Sequence, residues 1–159
     1  MKDSREKVID GMESPKIYRR ILGIDYGAKR VGLSLSDPLG LIAQPIGALK
    51  NDASLFPNLQ QISIRENVKL LVVGMPLNLK GVHAQKAEEV QKFIDRLRAE
   101  LNVEVATWDE RFTTTIAQQT MLAMGTKKKE RQAKNGRIDS MAAAIILQGY
   151  LDHTKNFHS

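Results

Sequence analysis

Ile21-Leu22-Gly23-Ile24-Asp25-Tyr26-Gly27, followed by Arg30-Val31-Gly32-Leu33-Ser34-Leu35-Ser36-Asp37, is the stretch that decides the fold. Ile21 to Ile24 is a short, continuous apolar run, the pattern of a strand buried on both faces, and Gly27 supplies a turn behind it. Arg30 to Ser36 then alternates: Val31, Leu33 and Leu35 point one way and Gly32, Ser34 and Ser36 the other, the period of a half-buried strand. Asp37-Pro38-Leu39-Gly40 signals a turn. Ile42 to Leu49 predicts a third strand, and Pro45, which removes a ladder donor, assigns it to an edge. The opening therefore reads as an antiparallel meander.

Beyond it, helix and strand patterns alternate. Leu55, Leu59 and Ile62 mark a helix after Ser54, whose hydroxyl can cap it. Leu70-Leu71-Val72-Val73 reads as a buried strand. Ala87, Val90, Ile94, Leu97 and Leu101 form an amphipathic stripe, with Lys86, Lys92 and Arg98 away from it. Val103 to Trp108 predicts a strand, Thr113 to Met124 a helix ended by Gly125, and Ile138 to Leu151 a last helix. In the resulting order, βββαβαβαα, right-handed crossovers make the first strand central and parallel to the fourth and fifth. Ligands in such sheets sit beyond the carboxyl ends of the parallel strands. Asp25, the Met75-Pro76-Leu77-Asn78 loop and Asp109-Glu110 all fall at those ends. Asp139 joins them if the last helix lays its small face, Ala142 and Ala143 included, against the sheet.

Composition narrows the classes. The 159 residues, 42% of them hydrophobic, suffice for one domain with a core. We expect a domain over residues 19–153, an arm at 1–18 and a short tail at 154–159. The absence of cysteine excludes disulfides, thiolate zinc sites and cysteine nucleophiles. No apolar run reaches membrane-spanning length, and the polar, mixed-charge start resembles neither a secretory signal nor a transit peptide, so a cytoplasmic location without membrane contact is expected. The net charge of +6 favours a polyanionic partner.

Three acids on one rim point to hard divalent cations, which are held by a few carboxylates together with substrate phosphates. Taken singly, each also fits a structural part: Asp25 an Asx turn, Glu110 the positive end of a following helix, Asp139 a cap or a favourable charge on the last helix.

The ordered set Gly23-Ile24-Asp25-Tyr26-Gly27, Arg30-Val31-Gly32-Leu33, Ser36-Asp37, Gly74-Met75-Pro76-Leu77-Asn78, Asp109-Glu110-Arg111 and Ile138-Asp139 with Ala142-Ala143 resembles the YqgF/RuvX family across roughly Ile21 to Asp152. The resemblance implies an α/β, ribonuclease H-like fold: a mixed five-stranded sheet flanked by helices, in strand order 3-2-1-4-5 with strand 2 antiparallel. It implies a metal-dependent nuclease acting at the 5′ end of pre-16S rRNA, or alternatively a Holliday junction resolvase. Asp25, Glu110 and Asp139 correspond to the family's acidic triad, as catalytic residues and as ligands of Mg²⁺ or Mn²⁺. The chain departs from the family at Leu79-Lys80-Gly81-Val82-His83, where an acid and a serine are usual, and at Thr115 to Gln119, which lacks a common glutamate. His83 reads as a surface loop residue.

Lys29, Arg30 and Arg111 lie beside the acids and are candidate phosphate contacts. Lys127, Lys128, Lys129, Arg131, Lys134 and Arg137 form a charge-rich run before Asp139, suited to gripping a nucleic-acid backbone without reading bases. Aromatics make up only 5% of residues, which argues against a broad stacking platform. The expected partner is nucleic acid, structured or precursor rRNA, alternatively branched DNA, and the chain is expected to be a monomer or a homodimer. A non-catalytic nucleic-acid-binding module is a further reading. An actin-like ATPase is disfavoured, because the chain lacks room for a second domain.

Overall fold

The computed structural model describes residues 20–76, 82–112 and 135–158. Five strands form one sheet: β1 (Arg20–Tyr26), β2 (Arg30–Ser36), β3 (Ala43–Lys50), β4 (Val68–Met75) and β5 (Glu104–Asp109). Their spatial order is β3-β2-β1-β4-β5. β2 pairs antiparallel with β1 and β3, whereas β1-β4 and β4-β5 are parallel. The helices are α1 (Leu55–Arg65), α2 (Val82–Glu100) and α3 (Asn135–His158), and a 3₁₀ turn, Glu110–Phe112, follows β5. The N-terminal arm and the expected helix at 113–124 lie outside the described residues.

β3 is the edge strand that Pro45 predicts. Its register against β2 shifts between Leu33 and Ser34, and Gly47 takes a φ of 113°, so the edge is bulged as well as proline-blocked. Both features discourage pairing with another strand.

Each face of the sheet carries its own core. Leu22, Ile24, Val31, Leu33, Leu71 and Val73 pack on the side of α1 and α2, among Leu59, Val90, Ile94 and Leu97. Fully burying one such side chain contributes roughly 1.5–3 kcal/mol. Ile21, Val72 and Trp108 face α3 and pack on Ile146, Leu147 and Leu151.

Covering by α3 corrects the half-buried reading of β2, whose residues Val31 to Ser36 are all buried. The serines on the second face are hydrogen-bonded within the fold: Ser34 Oγ donates to the Ala143 carbonyl at 2.7 Å, and Ser36 Oγ accepts from the Ile21 amide at 2.9 Å. Ser54 does not cap α1 with its side chain. Its hydroxyl donates instead to Asp52 Oδ1 at 2.5 Å, a turn bond that competes with capping. The first residues of α2 include His83, which therefore belongs to a helix and not to a loop. Asp139 falls in the second turn of α3, which starts at Asn135 and continues to His158.

Candidate active site

Asp25 is the penultimate residue of β1, on the α3 side of the sheet by alternation with the buried Ile21 and Gly23. Its cross-strand partner is Gly32. A β-carbon at Gly32 would overlap the carbonyl of Asp139, so the missing side chain is what lets α3 descend until the Asp139 backbone rests beside Asp25. Ile24 pairs with Val73, which sets the next residue of β4, Gly74, alongside Asp25. A β-carbon at Gly74 would stand 3.0 Å from Glu110 Oε1 and 2.5 Å from Ile146 Cδ1. Glu110 itself opens the 3₁₀ turn directly after β5. Glycines on β2 and β4 thus make room for acids delivered by two other segments.

The charges of these acids act on one another. Burial, chiefly, pushes the Asp25 carboxyl up to about 7, with Glu110 raising it further, Lys86 opposing and Asp139 adding to the rise. Glu110 is also raised, by burial first and by Asp109, with Lys86 again opposing. Asp139 is engaged differently: its Oδ2 accepts from Arg30 Nε at 2.8 Å. As the side chains stand, no three acidic or imidazole groups among the described residues are close enough together to enclose a metal ion. With Asp139 turned to Arg30, Asp25 and Glu110 make up a half-buried acidic pair.

The donor set nevertheless suits a hard cation. It consists of carboxylate oxygens at a rim where burial and mutual repulsion disfavour charge, and a divalent cation relieves both.

Of the cations singled out in the sequence, Arg30 faces Asp139, Lys29 is exposed in the β1–β2 turn, and Arg137 is exposed in the first turn of α3. Arg111 lies in the 3₁₀ turn. Lys127, Lys128, Lys129, Arg131 and Lys134 fall outside the described residues. Asp37 is a turn residue: its carboxylate accepts from the amides of Leu39, Leu41 and Ile42, bonds that hold its pKa below the usual range.

Lys86 is the residue that sequence reasoning missed. It sits on the polar face of α2, yet its charge acts on both Asp25 and Glu110. The only signal in the sequence was its position early in a helix that begins at the strand-end rim.

Sheet order, the covering α3 helix and the acidic rim define a ribonuclease H-like fold. Solved structures of that class overlay on most of the chain: RuvC of Thermus thermophilus in complex with a Holliday junction substrate has a TM-score of 0.53 at 14% identity, covering 86% of this chain and 96% of that one. The fowlpox virus resolvase with Holliday junction DNA has a TM-score of 0.52 at 12% identity, covering 85% and 98%. At such identities the likeness concerns the fold alone. The chain belongs to the RuvX family, described as Holliday junction resolvase, whose model matches residues 19–153. A relative from Chlorobium chlorochromatii is 41% identical over 140 residues, 87% of this chain and 99% of its own length. Another from Acetivibrio thermocellus is 42% identical over 137 residues, 84% and 95%. Both carry the name "Putative pre-16S rRNA nuclease".

Proposed function

We propose that the protein is a metal-dependent nuclease that hydrolyses phosphodiester bonds, and that its substrate is the 5′ end of precursor 16S rRNA. The observation that carries this reading is the meeting of Asp25, Glu110 and the Asp139 backbone at one sheet rim, with Asp25 and Glu110 raised by burial and by neighbouring acids. The names of the relatives supply the substrate class.

Asp25, Glu110 and Asp139 would hold Mg²⁺ or Mn²⁺, which when bound polarises the phosphodiester and lowers the pKa of an attacking water. The chain's own residues position that chemistry. Asp25 presents its carboxylate from the central strand, and Glu110 is braced over Gly74. Asp139 becomes available when Arg30 releases it, and a substrate phosphate offers Arg30 an alternative anionic partner of matching geometry. Lys29, Arg111, Arg137 and the run Lys127, Lys128, Lys129, Arg131 and Lys134 supply sequence-independent grip on the backbone.

The family description favours a second reading, a resolvase acting on four-way DNA, which would require a two-fold dimer to cut symmetric strands. Cleavage of a precursor 16S rRNA fragment and of a four-way DNA junction, with Mg²⁺ or Mn²⁺, tests both. The wild type is expected to cut the RNA and a folded Asp25→Asn variant to cut neither. Junction cutting by a stable dimer, with the RNA left intact, would replace the first reading by the second. Equal cutting of the RNA by both proteins would refute the assignment of the site.

A further inference from the structure

A cleft of about 370 Å³ opens on the same rim, between the β1–β2 turn and the first half of α2. Tyr26, Gly27 and Ala28 form one wall, and Gln85, Lys86 and Glu89 the other. Its volume lies within the roughly 300–1,000 Å³ typical of small-ligand sites. Tyr26 forms a fixed wall, because its ring packs on Phe93 with centroids 4.6 Å apart. Gly27 and Ala28 keep that wall low, immediately after Asp25. On the opposite wall Gln85 and Glu89, one helical turn apart, present their side chains on the same strip of α2, and both residues are exposed.

We propose that this cleft receives the nucleotide next to the scissile phosphate, with Lys86 on its phosphate and Gln85 and Glu89 on the edge of its base. The proposal rests on the nuclease reading and names a specificity site for it. Lys86 belongs to both places, since it lines the cleft and its charge acts on Asp25 and Glu110 across the rim. A strand whose phosphate lies at the acids would therefore meet Lys86 as it passes from the α3 face of the sheet to the α2 face.

The wall chemistry selects among bases. A glutamate carboxylate only accepts hydrogen bonds and so favours an exocyclic amine, and a glutamine amide both donates and accepts, which matches the edge of adenine. Uracil presents a carbonyl where the amine would be, and it would face Glu89 acceptor to acceptor. The cleft thus favours adenine or cytosine over uracil at one flanking position.

The test uses the RNA that the wild type cleaves, with the cut position mapped and each base placed in turn at the nearest two positions on either side. The wild type is expected to prefer adenine or cytosine over uracil at one of these positions by about tenfold in kcat/KM, the order of one good base contact. Glu89→Gln and Gln85→Ala should flatten that preference and leave the other positions unchanged. Lys86→Gln should raise KM severalfold for every sequence, with the larger effect on KM than on kcat. Unaltered KM and base preference in all three variants, each folded and each still cleaving, would overturn the cleft assignment and leave the nuclease standing. Failure of the wild type to cleave any RNA or DNA would remove the nuclease reading and this inference with it.

Discussion

Replacing Asp25 by asparagine should make the metal-free protein more stable, and only above acidic pH. The folded-state value of about 7 against an ordinary 3.8 means that the native protein retains a proton there which the unfolded chain has already released. Between those values the native state binds more protons than the unfolded state, so stability falls as pH rises through the window and levels off above about 7. A difference of about three pKa units corresponds to a ceiling of about 4 kcal/mol at 1.36 kcal/mol per unit. The asparagine side chain has nearly the same volume and no charge, so the penalty vanishes. We expect the variant to exceed the wild type by roughly 2–4 kcal/mol at about pH 8, and by nearly nothing at about pH 4. Urea unfolding followed by far-ultraviolet circular dichroism, in chelator, at both pH values measures it. If Asp25 holds Mg²⁺ as proposed, added Mg²⁺ should then close most of the gap at the higher pH, by binding the folded wild type and not the variant. A natively folded variant that is no more stable than the wild type at about pH 8, or whose advantage is the same at both pH values, would refute the account of a half-buried, repelled carboxylate.

Arg30→Gln should lower stability by no more than about 1 kcal/mol, as both partners of its ion pair with Asp139 remain partly exposed. The same change should tighten Mn²⁺ binding severalfold in calorimetric titration, since it frees Asp139, and weaker binding would show that Arg30 helps to organise the acids. Gly32→Ala should cost roughly 1–3 kcal/mol or more in urea unfolding, because the added methyl meets backbone carbonyl and not a flexible side chain. Its cleavage rate should fall further than that loss explains. Gly136→Ala is the control: its added methyl would lie an ordinary 3.5 Å from Ala48 Cβ, and a gain of up to about 1 kcal/mol is expected from helix propensity.

Strand order and direction were legible because each strand carried its own mark. Pro45 declared the edge, and the unbroken run Ile21 to Ile24 declared the centre. Part of what the sequence hid was set by a partner more than 100 residues away. Ser34 and Ser36 look like the wet face of a strand, and nothing within β2 announces that α3 will cover them and accept the Ser34 hydroxyl. Ser54 followed a sound local rule and lost to a nearer acceptor, Asp52. Lys86 fell on the polar side of an amphipathic stripe, where a lysine normally means solvation. Its influence on Asp25 and Glu110 comes from the crossover that starts α2 at the strand-end rim, and that is a property of topology more than of spacing.

The acids themselves are less diagnostic than the residues that carry no side chain. Glycine weakens a strand by roughly 0.5–1 kcal/mol relative to alanine, so its presence on both strands that flank β1, facing one helix, needs a cause. At Gly32 the cause is the Asp139 backbone, and at Gly74 it is Glu110 together with Ile146. Both fall beside Asp25 in the sheet register. The approach of α3 is thus fixed by backbone contact, which tolerates no rotamer adjustment, and the position of Asp139 along the rim is fixed with it. Three carboxylates drawn from β1, from the turn after β5 and from α3 can serve one reaction only if that helix cannot slide. The proposed site should therefore be sensitive to a methyl group at Gly32 as well as to the loss of an acid.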